Sequence, residues 1–231
     1  MNLKPLILSA IAAACVSLPA RADFTSDFSQ TPPYTIDQTV FGVQGWENRT
    51  ASELTSEDTA RVVAVRWNGG KPAMRMRGAN MKNVGFEPIS GGHAGGHIRL
   101  AMSIALNFSE GKLNGHPLRI WFGGIPLGEI FLSEEGLGTG GAGTGRDGGV
   151  ICLPRKDIKV NSFYSLTLDI NTADGTYGVS VTGQKSDGSP FQYRGSGVSM
   201  EGKSNGTISG IYIISSPTMI AYLGSLSIKA E

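Results

Sequence analysis

Phe163-Tyr-Ser-Leu-Thr-Leu-Asp-Ile-Asn-Thr-Ala-Asp-Gly-Thr-Tyr-Gly-Val-Ser-Val-Thr-Gly-Gln184 alternates in polarity along most of its length. Leu166, Leu168 and Ile170 are separated by Ser165, Thr167 and Asp169, so an extended chain sends one set to each face. Asp174-Gly175 breaks the alternation with residues that accept the positive φ of a tight reversal, and Tyr177, Val179 and Val181 resume it. The segment is expected to form a β-hairpin with one buried and one solvated face, the repeating unit of antiparallel sheets.

The same period of two governs the longest regular segment. Ile98, Leu100, Met102, Ile104, Leu106 and Phe108 form one face, and Arg99, Ala101, Ser103, Ala105 and Asn107 the other. A helix would scatter those apolar residues around its circumference, whereas a strand collects them on one side. Leu118–Phe122, Ile125–Leu132, Val150–Leu153, Pro190–Tyr193, Ile208–Ile214 and Tyr222–Ile228 read as further strands. Arg61–Trp67 and Pro72–Arg77 flank Asn68-Gly69-Gly70 as a second hairpin. Glu47–Ala60 is polar and equally compatible with a loop or a short helix. Glu134–Gly149 reads as a Gly-rich insertion; within it Gly138–Gly143 matches the dinucleotide-binding pattern but lacks the helix that this fingerprint requires. With 33 glycines, many turn clusters and no convincing helix, the chain is expected to be all-β. The expected architecture is a two-sheet antiparallel sandwich with jelly-roll-like connections, forming one domain over residues 23–231.

Residues 1–22 are expected to be a cleaved signal peptide rather than part of that domain. Lys4 gives a positive start, Pro5–Ala14 is apolar, and Ala20-Arg21-Ala22 has the small-x-small form of a cleavage site. The apolar run is too short for a permanent membrane span, so no transmembrane segment is expected. The destination is secreted, periplasmic or otherwise extracytoplasmic; an alternative makes Cys15 the lipid-bearing residue of a lipoprotein. Removing residues 1–22 leaves 209 residues and takes away Lys4 and Arg21 but no acid, so 20 Lys+Arg become 18 against 19 Asp+Glu, a net charge of −1. That balance gives no global pull toward nucleic acid. Cys152 is then the single cysteine, which excludes an internal disulfide; in Val150-Ile151-Cys152-Leu153 it is expected to be buried and inert.

Three segments carry a family likeness. Phe24–Trp46, ending Val-Gln-Gly-Trp, the Phe163–Val181 hairpin and the last strand Tyr222–Lys229 resemble the concanavalin A-like lectin/glucanase sandwiches, which include laminin-G-like modules of bacterial exported proteins. The resemblance spans nearly the whole mature chain and lies in strand rhythm rather than in a signature motif. It implies a two-sheet sandwich and a function among lectins, glycoside hydrolases, polysaccharide lyases and adhesive modules. Many such domains bind calcium and carry an acid in the last strand where Gly224 or Ser225 stands here. No motif supports calcium in this chain, and no cofactor is expected.

Glycoside hydrolysis needs two carboxyl groups flanking the scissile bond, and the Glu-x-Asp-x-Glu strand of the related glucanases is absent. Glu134 and Glu135 are adjacent, so a strand would send them to opposite faces; Glu53, Glu57 and Asp58 fall in the polar segment. A lyase would use a Tyr or His base near an Arg, and no spacing singles these out. His93 and His97, with His116 as a third ligand, form a weak alternative metal set, because Gly91, Gly92, Gly95 and Gly96 exclude the helix that would align the first two. The remaining constellation is a surface. If Met74 and Met76 face the core, Arg75 and Arg77 face water, as do Arg99 on its strand and Arg119 with Trp121 on theirs. As neighbours in one sheet, these five would make a polysaccharide platform of guanidinium forks and an indole. The function expected is an exported, non-catalytic carbohydrate-binding or cell-surface interaction module. The alternatives are a polysaccharide-degrading enzyme, a lyase before a hydrolase, or a structural envelope or matrix protein. Expected partners are a glycan and proteins of the cell surface.

Overall fold

The computed structural model describes residues 23–29, 33–49, 59–85, 89–90, 97–108, 117–123, 128–140, 149–171, 174–199 and 207–231. The expected signal peptide, Cys15, and most of the polar segment between Glu47 and Ala60 lie outside them. In chain order the strands are β1 (Asp23–Asp27), β2 (Trp46–Asn48), β3 (Ala60–Val65), β4 (Lys71–Met76), β5 (Asn80–Asn83), β6 (Ile89–Ser90), β7 (His97–Asn107), β8 (Leu118–Phe122) and β9 (Gly128–Leu132), followed by β10 (Gly136–Gly140), β11 (Val150–Pro154), β12 (Phe163–Asn171), β13 (Thr176–Gln184), β14 (Pro190–Ser199), β15 (Thr207–Ile208), β16 (Ile211–Ser215) and β17 (Ile220–Ala230).

The hairpin expected at Phe163–Gln184 is β12–β13, paired antiparallel with Leu168 opposite Val179 and Ile170 opposite Tyr177. It belongs to an eight-stranded sheet of order β14-β13-β12-β7-β17-β4-β3, in which β1 also pairs with β17. β17 has the most partners in that sheet. One side pairs with β7 along its length, and the other pairs with β4 near its start and with β1 near its end. A seven-stranded sheet of order β11-β10-β9-β8-β16-β5-β2 lies over it. The core is the seam between them. Ile98, Leu100, Met102, Ile104 and Leu106 of β7 and Met74 and Met76 of β4 are buried, as are Leu118, Ile120 and Phe122 of β8 and Ile211 and Ile213 of β16. The alternation read in the sequence is therefore the alternation of inward and outward side chains, and hydrophobic burial at this seam is what stabilises the layers.

A polar staple joins the sheets at one end. Trp46 on β2 is fully buried, and its indole N–H donates to Tyr34 Oη at 3.1 Å and more distantly to Ser26 Oγ on β1 at 3.5 Å. Tyr34 gives its own proton to Gln44 Oε1 at 2.8 Å, so Ser26 is the donor in the 2.5 Å Ser26–Tyr34 contact. Phe28 packs on Tyr34 with centroids 4.7 Å apart. Burial pushes the Tyr34 phenol above its ordinary range.

Two sequence expectations need correction. The Gly-rich stretch after Glu134 is in part a strand, β10, paired with both β9 and β11. Its glycines are steric necessities rather than loop markers: a Cβ at Gly138 would meet the Phe131 ring at 2.7 Å and Val150 O at 2.8 Å. Phe131 lies across this glycine strip on the outward face and is buried there. The second correction concerns β2 and β5, which no sequence signal marked; they extend the seven-stranded sheet at its far edge.

Cys152 is buried on β11 as expected, and burial alone pushes its thiol from 9.0 up to about 12. The unfolded thiol ionises at lower pH than the folded one. The stability this confers is complete below pH 9 and is lost as pH rises toward 12, at up to about 1.4 kcal/mol per pH unit. The native thiol should be inert to an aromatic disulfide reagent at pH 8 and react fully once urea unfolds the chain; equal rates in both states would contradict the burial.

Candidate functional site

The five residues expected to form one platform divide between the two sheets. Arg75 on β4 and Arg99 on β7 belong to the eight-stranded sheet, with Arg77 just beyond β4, whereas Arg119 and Trp121 lie on β8 of the seven-stranded sheet. The condition that they be sheet neighbours is not met, because β8 pairs with β9 and β16. Arg99 is moreover engaged: it binds Asp169 at 3.0 Å and Glu231 at 2.8 Å, and the Asp169 hydrogen bond and charge raise its pKa further. Arg77 donates its Nε–H to Pro217 O at 2.9 Å. Of the candidate metal set, His97 is an exposed residue at the start of β7; His93 and His116 lie outside the described residues. Among the described residues no three His, Cys, Asp or Glu side chains gather into a metal cage.

Arg119 and Trp121 belong instead to a connected outward-facing cluster that the sequence did not reveal. Strand register places Glu47, Lys82, Tyr212, Trp121 and Glu129 in one row across β2, β5, β16, β8 and β9. Tyr212 and Trp121 run nearly parallel, 10° between planes and 5.8 Å between centroids. The guanidinium carbon of Arg49 lies 5.0 Å over the Tyr212 ring, and that of Arg119 lies 5.5 Å from the Trp121 centroid. Both contacts are within cation–π range, which fixes the orientation of rings and guanidinium groups together.

Glu129 gives this face its electrostatic character. It points outward by strand parity yet is 0 % exposed. Arg119 donates from Nε at 2.9 Å and from Nη2 at 2.5 Å, and both bonds go to the same oxygen, Oε2. A fork-on-fork pair would satisfy both carboxylate oxygens; here Oε1 is left buried without a donor. Asn80, outward on β5 in the neighbouring row, likewise holds its Oδ1 without a partner. Buried acceptors of this kind are rare and costly, about 1–3 kcal/mol each. Lys82 and Glu47 close the far edge with a 2.8 Å ion pair.

Two antiparallel sheets of eight and seven strands, with their apolar faces together and this order, constitute the concanavalin A-like sandwich. Solved structures share it. Arcelin-5, a lectin-like defence protein of Phaseolus vulgaris, matches with a TM-score of 0.56 and 7% identity over 92% of this chain and 99% of its own. A carbohydrate esterase of the Shiga toxin-encoding bacteriophage phi24B matches with a TM-score of 0.55 and 11% identity over 90% and 97%. Peanut lectin matches with a TM-score of 0.51 and 9% identity over 90% and 97%. At these identities the likeness is one of fold. No family model matches the chain, and no curated protein is similar to it in sequence.

The residues missed by sequence reading were Tyr212, Arg49, Glu129 and Asn80. The signal for Glu129 was present in retrospect: a single acid inside Gly-Glu-Ile-Phe-Leu, where a central strand would otherwise be apolar.

Proposed function

We propose that this protein binds carbohydrate without chemically altering it, through the outer face of the seven-stranded sheet. The observation that carries the reading is the pairing of a fixed aromatic and guanidinium row with two buried acceptors, Glu129 Oε1 and Asn80 Oδ1, that lack donors. A polyhydroxylated ligand brings both what stacks on rings and what donates to acceptors. Arg49, which forms no ion pair with a described carboxylate, adds a site for a carboxylate or sulfate. The lectin and esterase neighbours are in accord with a carbohydrate ligand on this fold, though fold alone does not assign it.

A binding role is favoured over hydrolysis because the two acids of the row, Glu47 and Glu129, are four strands apart. At a spacing of about 4.8 Å per strand this is roughly 19 Å, against the roughly 5–9.5 Å that a hydrolase pair requires. Export through the expected leader would place the activity outside the cytoplasm.

The test titrates the protein with alginate, dextran sulfate and neutral dextran by calorimetry. The Arg49→Ala/Trp121→Ala double variant should bind the acidic polymer at least tenfold more weakly on this face, with no unsaturated product absorbing in the ultraviolet. Wild-type affinity in the variant would remove the site, and product formation would replace binding with a lyase reaction.

A further inference from the structure

We propose a second, independent binding site for acidic polysaccharide on the opposite side of the sandwich, built on the β3–β4 hairpin. Its first element is charge. Residues 59–77 contain Arg61, Arg66, Lys71, Arg75 and Arg77 and no acid at all, in a chain whose overall charge is close to zero. Arg66 and Lys71 are exposed, and neither they nor Arg75 is among the ion pairs formed by the described residues. Exposed cations that pair with no described carboxylate, as Arg66 and Lys71 are, attract a polyanion.

The second element is a fixed aromatic surface. Register places Phe163, Ala105, Tyr222, Arg75 and Arg61 in one outward row across β12, β7, β17, β4 and β3. Trp67 comes from the single 3-10 turn (Arg66–Asn68) between β3 and β4, and Gly69 and Gly70, at φ of 65° and 77°, let the chain reverse there. Its ring meets Phe163 with centroids 5.4 Å apart and Tyr222 edge-on at 5.5 Å. The short side chain of Ala105, itself fully buried, leaves room between them. Trp67 is thereby held down at two points and remains 37 % exposed.

The third element is an unmet donor. Arg75, beside Tyr222 in the row, keeps its Nε–H buried and without an acceptor. A carboxylate or sulfate that reached it would satisfy a group the fold leaves wanting.

These features favour a glycan over other polyanions. A single immobilised ring between cations suits the flat face of one sugar, whereas single-stranded nucleic acid is gripped by several successive stacking rings. A membrane surface would be met by a protruding apolar side chain rather than one pinned flat against its neighbours. The site does not depend on the one on the seven-stranded sheet; only its consequence does. With both, one molecule presents binding faces that look away from each other and bridges two polymer strands.

The experiment measures binding of the full chain to dextran sulfate, neutral dextran, an oligothymidylate and vesicles of phosphatidylcholine with phosphatidylserine. Arg66→Glu/Lys71→Glu changes two exposed side chains without known partners, so the fold should hold. Trp67→Leu keeps apolar cover over Phe163 and Tyr222. Each variant should lose at least tenfold in affinity for dextran sulfate at this site, with neutral dextran unbound throughout. If both faces bind, stoichiometry falls by half in either face's variant, and turbidity from cross-linked polymer disappears in both. Loss in the hairpin variants with none in Arg49→Ala/Trp121→Ala would sustain this site and refute the other. Unchanged affinity in Arg66→Glu/Lys71→Glu, or tighter binding of oligothymidylate or vesicles than of dextran sulfate, would overturn the proposal.

Discussion

Replacing Arg119 with methionine should cost about 3–5 kcal/mol of stability, measured as the shift in a urea unfolding curve. Methionine keeps most of the apolar stem beside Trp121 but removes the only side-chain donors, among the described residues, to the completely buried Glu129 carboxylate. Glu129 would then have two unpartnered oxygens in place of one, and it must either stay charged out of water or take up a proton. The second half of the test is the pair: adding Glu129→Leu to Arg119→Met should recover most of the loss, since removing both members of a buried ion pair costs far less than removing one. A single variant less than 1 kcal/mol below wild type, or a double variant no better than the single, would mean that Glu129 is hydrated in solution.

Trp46→Ala should be comparably severe, about 3–5 kcal/mol. The indole is among the largest fully buried side chains, and its loss also deprives Tyr34 and Ser26 of a donor in the network that links β1 to β2. Tyr34→Phe should cost less, about 1–3 kcal/mol, because it leaves the volume filled and removes only hydrogen bonds, among them those to Ser26, Trp46 and Gln44. The ratio of the two separates packing from hydrogen bonding at this corner. Near-equal losses would show that the polar network, not the ring's bulk, holds the sheets together there.

Most strands were legible because a two-layer sandwich writes its burial directly into alternation. β7, β12, β13 and β17 are long, half-buried and mostly bulky and apolar at their inward positions, so period two stands out. β10 was not legible for the opposite reason. Gly138 makes room for Phe131 of the neighbouring strand and Gly136 for the close backbone of Leu153 to Arg155, and a residue chosen for what it lacks looks like a loop when read alone. The candidate sites were less legible still. Arg119 and Trp121 stand out by position two apart on one strand, but the residues that complete their surface come from three separate places: Glu129 from the next strand, Tyr212 from β16 far along the chain, and Arg49 from just beyond β2. Arg75 was grouped with them because both segments carry outward arginines; register sends it to the other sheet, next to Tyr222 and Trp67. Sequence gives the face a side chain points to, whereas the identity of its neighbours depends on pairing order, which alternation does not encode.

The position of β17 has a consequence for how the molecule comes into being. It is the strand furthest along the chain and the common partner of β7, β4 and β1. Until it is synthesised, the hairpin β3–β4 and the opening strand have nothing in the eight-stranded sheet to join, and β7 has an open edge. The sheet is thus completed by its last-made member, across separations of up to about two hundred residues. Topologies of that kind acquire their final structure late and slowly. A nascent chain of this design stays open until that strand emerges, the state in which a polypeptide is most easily threaded, held by a chaperone, or lost to aggregation.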